Sequence, residues 1–205
     1  MDLPEPVWWL IAAVVGYALG AINPAAILAR VFGVDLRSTG SGNPGATNVG
    51  RVLGPRWGVL VGFLDILKGF LPAWAFGYAV GQTAGEVAGI AAVLGHITSP
   101  YLRGRGGKGV ATTLGAILGV QPLLAVPVLL AFGIGVAFWH RVGLGAVLGA
   151  VVLIGSGIIG WRAGWTDESD MWFAVILGVM VLVRHQRNLR EAWHAFRPGA
   201  SSTGR

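Results

Sequence analysis

Cysteine is missing from this chain of 205 residues. Disulfide bonds, thiolate metal ligands and a cysteine nucleophile are therefore excluded, and the redox environment stays undetermined. Charged side chains are scarce as well, at 12% of the sequence, which is about half the share found in soluble domains. Between the apolar runs, no segment is long enough to bury a core of its own. The sequence therefore predicts one integral-membrane domain over residues 1–205.

Long apolar runs fill most of the chain, in which 54% of residues are hydrophobic. Lipid offers the backbone no hydrogen-bond partners, so helices are the expected structure of an open chain in a membrane. The third, fourth and seventh runs are shorter than the roughly 17–25 residues of a spanning helix, so they tilt little, extend into their polar flanks, or re-enter. The seven runs cover residues 7–31, 57–80, 83–96, 110–120, 122–139, 144–161 and 171–183.

The positions of the Lys and Arg residues distinguish between spanning and re-entrant runs. If all seven runs cross the membrane and the N-terminus lies outside, all but two of the 15 Lys and Arg residues fall in cytoplasmic zones. The exceptions are Lys68, within a span, and Arg162. Short cytoplasmic loops collect Lys and Arg, whereas a re-entrant fourth run would put the Arg-rich C-terminus outside. We therefore predict an all-α, polytopic membrane protein with about seven transmembrane helices, an outside N-terminus and a cytoplasmic C-terminus.

The ends of the chain and its net charge add three expectations. The first five residues form an acidic segment, with Asp2 and Glu5, and lack the basic region of a cleaved signal peptide. The first apolar run is therefore expected to be retained. Residues 198–205 are small and polar, which predicts a disordered tail. The net charge of +6 does not indicate nucleic-acid binding, because the basic residues lie in loops between apolar segments.

Residues 38–51 alternate Gly with hydroxyl and amide side chains. Such a backbone can turn tightly and aim N–H donors at one point, which suits a phosphate oxygen or another anion. A guanidinium at the end of the segment can bind phosphate at two points. A flexible loop is the alternative, but the length, apolar flanks and predicted cytoplasmic position of the segment favour anion binding. The candidate residues are Gly40, Ser41, Gly42, Asn43, Thr47, Asn48 and Arg51.

A second glycine-rich segment, residues 102–113, leads into an apolar helix. Free N–H groups and the helix dipole favour an anion at a helix start, and Lys108 adds a point charge there. A Walker A loop is excluded, because Leu102 and Gly109 stand where that pattern needs Gly and Ser or Thr. A basic membrane anchor would explain the arginines of the segment but not its glycines. The candidates are Gly106, Gly107, Lys108 and Thr112.

Ionisable residues also occur within or beside the apolar runs. Asp65 and Lys68 share a helix face, either as a functional pair, as an ion pair that only fixes packing, or with Lys68 reaching toward a phosphate. His96 is a ligand contact or a helix-end hydrogen-bond donor. His185, with Asn188 beyond it, can exchange protons near neutral pH or donate to phosphate. His194 is expected to be a plain interfacial residue.

Motifs of other enzyme classes are absent. The sequence contains no metal-site spacing and no Gly-x-Ser-x-Gly elbow. The His-x4-Asp signature of the large coenzyme-A-type acyltransferases is missing as well. We therefore expect no metal and no cofactor, and no hydrolase chemistry.

The polar clusters, in this order, resemble the integral-membrane acyl-phosphate:glycerol-3-phosphate acyltransferase family over nearly the whole chain. The resemblance rests on the run from Gly40 to Asn48 with Arg51, on residues 65–69, on Gly95-His96 continuing to residues 106–112, and on His185 with Asn188. It implies transfer of a fatty acyl group from acyl-phosphate to glycerol-3-phosphate, giving lysophosphatidic acid and inorganic phosphate. It implies neither acyl-coenzyme A nor a metal. The distribution of basic residues places the expected site at the cytoplasmic face of the plasma (inner) membrane.

The resemblance also implies roles for the candidate residues. The catalytic set would be Ser41, Arg51, Lys108, His185 and Asn188. The substrate-binding set would be Gly40, Gly42, Asn43, Thr47, Asn48, Lys68, His96, Gly106, Gly107 and Thr112. Membrane lipid surrounds the protein, and either His185 or the substrate's own phosphate would serve as the base.

Three positions depart from the family pattern. Gln186 stands where the family often has Arg after the histidine, Gly143 stands where a Ser is expected, and a Ser that usually precedes Asn23-Pro24 by one residue is missing. These departures affect individual contacts rather than the assignment.

Two other functions also fit a basic membrane protein. A transporter of organic phosphates would place its site near the bilayer midplane between repeated halves, and no repeat is visible. A scaffold for anionic lipid headgroups would use the basic loops but would have no use for the glycine-rich segments.

Overall fold

The computed structural model describes residues 3–190. The disordered tail predicted over 198–205, and His194, lie outside the described residues. The described part is helical, which confirms the all-α prediction. Its helices are α1 (Glu5–Ala21), α2 (Pro24–Val31), α3 (Ala46–Val52), α4 (Pro55–Ala79), α5 (Gln82–Thr98), α6 (Val110–Val120), α7 (Pro122–Trp139), α8 (Val142–Arg162) and α9 (Glu168–Arg184), with one 3-10 turn at Pro100–Leu102.

Four segments within residues 3–190 are long and apolar enough to cross a membrane. They are Glu5–Val31, Pro55–Ala79, Pro122–Trp139 and Val142–Arg162. Helices α5 and α9 have 17 residues each, and α6 has 11. The chain is thus a multi-pass membrane protein, while the count of seven crossings and the direction of the termini stay predictions.

The first apolar run, predicted as one segment over 7–31, is divided into α1 and α2. Pro24 has no N–H to give to the preceding turn, which ends α1. The side chain of Asn23 then caps α2, because its Oδ1 accepts a hydrogen bond of 2.8 Å from the backbone N of Ala26.

A helix break inside lipid exposes backbone carbonyls that need partners. The carbonyl of Ala21 accepts from Ser99 Oγ at 2.6 Å, and that of Ile22 accepts from Lys68 Nζ at 2.7 Å. Asn23 Nδ2 donates to the carbonyl of Pro44 at 3.3 Å. The break is therefore satisfied by side chains, and it anchors the first glycine-rich segment.

Small residues set the spacing of the helices. A Cβ on Gly20 would lie 2.0 Å from the carbonyl oxygen of Ala92, and one on Gly115 would lie 1.9 Å from that of Ile66. These glycines let α1 approach α5, and α6 approach α4, at backbone distance, which is how helices gain van der Waals contact in lipid. Larger side chains then fill the centre of the bundle, including the fully buried Phe173 and Leu177 of α9.

Candidate active site

A cavity of about 350 Å³ opens where the starts of α6 and α8 meet the end of α9 and the segment that carries α3. Nine of the predicted site residues line it: Ser41, Asn43, Thr47, Asn48, Arg51, His96, Lys108, His185 and Asn188. The other six predicted residues, Gly40, Gly42, Lys68, Gly106, Gly107 and Thr112, are not part of its wall. The structure thus brings together residues that lie more than a hundred positions apart in the chain.

Helix α3 presents two residues of the first glycine-rich segment to the cavity. Thr47 and Arg51, one turn apart, lie on the same face and are exposed. Asn48 lies about 100° further around the helix and is buried. Its Oδ1 accepts from the backbone N of Ser41 at 2.7 Å, and its Nδ2 donates to the carbonyls of Leu36 and Thr39, both at 3.1 Å. Asn48 therefore holds the segment in shape.

The prediction that backbone amides of this segment converge on an anion does not hold for Ser41, Gly42 and Gly45, whose N–H groups are bonded within the protein. The N–H of Ser41 is bonded to Asn48, that of Gly42 to the carbonyl of Thr39 at 3.2 Å, and that of Gly45 to the carbonyl of Asn43 at 3.0 Å. Gly40, at φ +60°, adopts a conformation that favours glycine. The glycines fold the segment, and the side chains of Ser41, Asn43, Thr47 and Arg51 are left to meet a ligand.

In the second glycine-rich segment, backbone amides are likewise bonded within the protein. Gly106 N–H donates to the carbonyl of Ile97 at 2.9 Å, and Gly107 N–H donates to that of His96 at 3.2 Å. A Cβ on Gly107 would lie only 2.2 Å from His96 Nε2. On the other side, Arg184 donates from Nε to the carbonyl of Gly107 at 3.3 Å. The two glycines therefore let the loop lie between His96 and Arg184.

The loop held between His96 and Arg184 places Lys108 directly before the start of α6. Gly109 is the N-cap residue of α6, and Val110 and Ala111 of its first turn line the cavity with Lys108. First-turn N–H groups have no partner within their own helix, and the dipole there favours an anion. Lys108 Nζ donates to Asn188 Oδ1 at 2.5 Å. The predicted combination of a helix start and a lysine is thus present on the cavity wall.

Asp65, Lys68 and His96 form a buried group beneath the loop. Lys68 Nζ lies 2.9 Å from Asp65 Oδ1, and His96 Nδ1 lies 3.5 Å from the same oxygen. Asp65 and His96 line the cavity, whereas Lys68 turns to the carbonyl of Ile22. Asp65 and Lys68 thus lie at ion-pair distance, and Lys68 also joins α4 to the end of α1.

His185 follows the last residue of α9 and is buried. Its Nδ1 lies 2.8 Å from the carbonyl oxygen of Val181. Since a carbonyl only accepts, Nδ1 carries a proton and Nε2 of the neutral ring is an acceptor. Burial, together with the positive charges of Lys108 and Arg184, holds the pKa of His185 below its usual 6.5, against the opposing effect of the Val181 carbonyl. These surroundings favour the neutral form of the ring.

Away from these polar groups the cavity becomes apolar. Its wall there is built from α6, α7, α8 and α9 by Leu114, Ile117, Leu129, Phe132, Leu153 and Val181, among others. Within residues 3–190, no cluster of three or more His, Asp or Glu side chains is suited to a metal ion. One cavity thus joins a cationic end, with Arg51 and Lys108, to an apolar end.

Comparison with known proteins identifies the family. The family model for glycerol-3-phosphate acyltransferase matches residues 10–195. A glycerol-3-phosphate acyltransferase of Aquifex aeolicus is 37% identical over 185 residues, covering 89% of this chain and 94% of that protein. One from Staphylococcus aureus is 34% identical over 200 residues, covering 92% and 96%.

The chain belongs to the glycerol-3-phosphate acyltransferase family.

Solved structures agree with this assignment. The crystal structure of PlsY, an integral membrane glycerol 3-phosphate acyltransferase, in its glycerol 3-phosphate form is 34% identical. It superposes with a TM-score of 0.84 over 93% of this chain and 94% of that one. The lysophosphatidic acid form of PlsY gives 0.81 at 33% identity, over the same shares of both chains. The present chain is therefore an integral-membrane acyltransferase, as the motifs predicted.

Three residues at or beside the cavity were not among the predicted site residues. Thr113 lines the cavity with its hydroxyl buried and without a partner among the described residues, whereas the predicted Thr112 lies on another face of α6. Arg184 does not line the cavity, but it donates hydrogen bonds to the carbonyls of Gly106 and Gly107. Gly143 was noted as a departure, and it lines the cavity beside Asn188. The signal in the sequence was a hydroxyl within an apolar helix, and Thr112 and Thr113 share it.

Proposed function

We propose that this protein transfers a fatty acyl group from acyl-phosphate to the 1-hydroxyl of glycerol-3-phosphate, giving lysophosphatidic acid and inorganic phosphate. The observation that carries the proposal is the single cavity with a cationic end and an apolar end. Both substrates are phosphate anions, and one of them also carries an alkyl chain. A site for them needs cationic donors beside a surface from which water is excluded.

The cationic end supports binding of the two phosphates. Arg51 offers a planar fork of donors that can hold a phosphate at two points, and Lys108 offers a point charge. The first turn of α6 adds N–H groups and the positive end of its dipole. Ser41, Asn43 and Thr47 add neutral donors on the facing wall. These groups would hold the two anions close together in spite of their mutual repulsion.

The apolar end supports binding of the acyl chain. Burying methylene groups there is favourable by about 0.8 kcal/mol each. Since the wall is formed by helices that lie in the membrane, an acyl chain would enter from the bilayer and leave its phosphate at the polar end. This arrangement would place the reactive carbonyl between the two ends of the cavity.

The proposed reaction is a direct displacement. The 1-hydroxyl oxygen of glycerol-3-phosphate attacks the acyl carbonyl carbon and forms the new ester bond. The bond from that carbon to the phosphate oxygen breaks, and inorganic phosphate leaves with the electron pair. Acyl-phosphate is a mixed anhydride and is already activated, so neither a protein nucleophile, a metal nor a cofactor is required.

The side chains would then act by positioning and by charge. Holding the hydroxyl close to the carbonyl replaces an encounter in solution by a reaction within one complex. Arg51, Lys108 and the α6 start would stabilise charge that develops on the carbonyl and on the leaving phosphate. The hydroxyl proton would pass to Nε2 of the neutral His185 or to a phosphate oxygen of the substrate.

The first test uses purified protein in detergent or lipid with palmitoyl-phosphate and glycerol-3-phosphate. We expect inorganic phosphate to appear only when both substrates are present, together with an equal amount of lysophosphatidic acid. Replacing palmitoyl-phosphate by palmitoyl-coenzyme A should give no product. Absence of transfer in a preparation that still binds glycerol-3-phosphate would contradict the proposal, and a flux assay in liposomes would then test for a transporter.

We also propose that seven segments cross the membrane and that the active site faces the cytoplasm. The lack of cysteine makes the orientation measurable, because a single introduced thiol is unambiguous. Tyr101 lies at the site end of the bundle and is 76% exposed, whereas Trp165, in the turn between α8 and α9, is 78% exposed. In intact spheroplasts an impermeant maleimide should label Trp165→Cys, and it should label Tyr101→Cys only after permeabilisation. The reverse pattern would contradict the orientation.

A further inference from the structure

Arg184, the last residue of α9, is bonded to the loop that precedes Lys108. Its Nε donates to the carbonyl of Gly107 at 3.3 Å, and its Nη2 donates to that of Gly106 at 3.2 Å. Both acceptors are backbone carbonyls of consecutive residues. The planar guanidinium carries its donors in a fixed fork, which suits two acceptors that lie side by side. Arg184 thus holds the loop backbone at two points.

The N–H groups of the same two glycines are bonded to the end of α5. Gly106 donates to the carbonyl of Ile97 and Gly107 donates to that of His96. A Cβ on Gly106 would lie 1.9 Å from the carbonyl oxygen of His96, so the loop lies against α5 at backbone distance. The loop is therefore fixed to α5 by its N–H groups and to the end of α9 by its carbonyls.

This double attachment determines where Lys108 lies. Lys108 follows Gly107 directly and lines the cavity, whereas Arg184 does not. The backbone before Lys108 is held by Arg184, and its ammonium donates to Asn188. His185, which follows Arg184 in the chain, lines the same cavity. The position of the Lys108 ammonium relative to His185 therefore depends on the two hydrogen bonds of Arg184.

We propose that Arg184 is a positioning residue, which keeps the loop of Gly106 and Gly107 against the end of α9 and so places the Lys108 ammonium in the cavity. The inference rests on the proposed function, since Lys108 is expected to meet the phosphates of both substrates. Arg184 itself touches neither substrate in this scheme. In this it differs from Arg51, whose side chain is part of the cavity wall.

Loss of the guanidinium should change the loop more than the helix bundle. Helix α9 packs through buried residues such as Phe173 and Leu177, which lie nearly two turns or more before Arg184. In Arg184→Ala the two glycine carbonyls would lose their charged donor, and the loop would keep its bonds to α5. The protein should therefore fold, with the Lys108 ammonium less well placed.

The test is a double-mutant cycle of Arg184→Ala and Lys108→Ala, read as kcat and KM for glycerol-3-phosphate. We expect Arg184→Ala alone to lower kcat/KM by about 10- to 100-fold, the effect of losing hydrogen bonds to a charged group. In the Lys108→Ala background the same substitution should cost less than about threefold, because no ammonium remains to be misplaced. Wild-type activity of Arg184→Ala, or equal losses in both backgrounds, would overturn the inference.

Arg184→Lys separates the geometry of the side chain from its charge. Lysine keeps the positive charge, but its ammonium is a point charge on a flexible stem and lacks the planar fork. We therefore expect the kcat/KM of Arg184→Lys to lie within about fivefold of that of Arg184→Ala. Recovery of the wild-type value would show that a positive charge near the site is sufficient, and it would overturn the positioning role.

Arg162→Ala is the matched control. Arg162 is likewise the last residue of an apolar helix, α8, and it is exposed and does not line the cavity. Its kcat/KM and unfolding temperature should match those of the wild type. The unfolding temperature of Arg184→Ala should stay well above the assay temperature. If it fell to that temperature and activity returned on cooling, Arg184 would serve the fold alone and the inference would be overturned.

Failure of the proposed function would be visible separately, as a wild type that transfers no acyl group from acyl-phosphate. The four proteins of the cycle would then be compared for binding of glycerol-3-phosphate by calorimetry. Non-additive losses of affinity would support the positioning role of Arg184, and additive or absent losses would overturn it.

Discussion

Lys108→Ala is expected to lower kcat/KM by at least about 100-fold, the loss typical of removing one donor that meets developing charge. Lys108 lies directly before the start of α6, and it lines the same cavity as Arg51 and His185. Its ammonium would neutralise charge on two phosphates that otherwise repel each other. The measurement is phosphate release with varied glycerol-3-phosphate, which separates kcat from KM.

Arg105→Ala is the control for this prediction. Arg105 carries the same charge in the same loop, is exposed and does not line the cavity. Its backbone carbonyl, which accepts a hydrogen bond from Arg37, is retained in the variant. Activity should stay within about threefold of the wild type, since exposed charges are screened by solvent. An active Lys108→Ala, or an equal loss in both variants, would contradict a specific role for Lys108.

The fold was predictable to the extent that hydropathy determines it. Apolar runs gave the helices of the bundle, because lipid forces the backbone to bond within each segment. The division of the first run at Asn23 was not predicted, although Pro24 was visible. The backbone carbonyls at this division accept hydrogen bonds from Ser99 and Lys68, which lie 78 and 46 positions away from them in the chain. Such partners follow only from the packing of the helices.

The residue types of the site were predictable, but the atoms that face a ligand were not. The glycine-rich segments were expected to offer backbone amides to an anion. Instead, the amides of Ser41, Gly42, Gly106 and Gly107 bond within the protein. An unsatisfied buried amide is costly, and in these two segments the bonded amides leave side chains to face the cavity. Sequence composition alone does not distinguish these two arrangements.

The direction of each side chain around α6 explains why Thr113, and not Thr112, lines the cavity. Successive residues of a helix differ by about 100° in direction, so Thr112 and Thr113 point to different sides of α6. The sequence gives no reference direction for α6, and the structure gives Thr113.

Asn48 is the residue on which the shape of the first glycine-rich segment depends. It is only 1% exposed, and it makes one bond as acceptor to Ser41 and two as donor to Leu36 and Thr39. Gly40 approaches it so closely that a Cβ there would lie 2.2 Å from Asn48 Oδ1. Because one amide connects both ends of the turn, its loss would release the backbone that carries Ser41 toward the cavity.

Asn48→Ala should therefore lower activity by about 100-fold, because a displacement of about 1 Å at reacting groups can cost that much. It should also lower the free energy of unfolding by about 1–3 kcal/mol for each buried backbone group left without a partner. Asn48→Asp keeps an acceptor for the Ser41 N–H but loses both donors, so it should fall between the wild type and Asn48→Ala in activity. Phosphate release and the unfolding temperature in detergent measure the two effects. If Asn48→Ala lost stability but kept full activity, the segment would not need this shape to bind acyl-phosphate, and the assignment of Ser41 to the reacting centre would have to be abandoned.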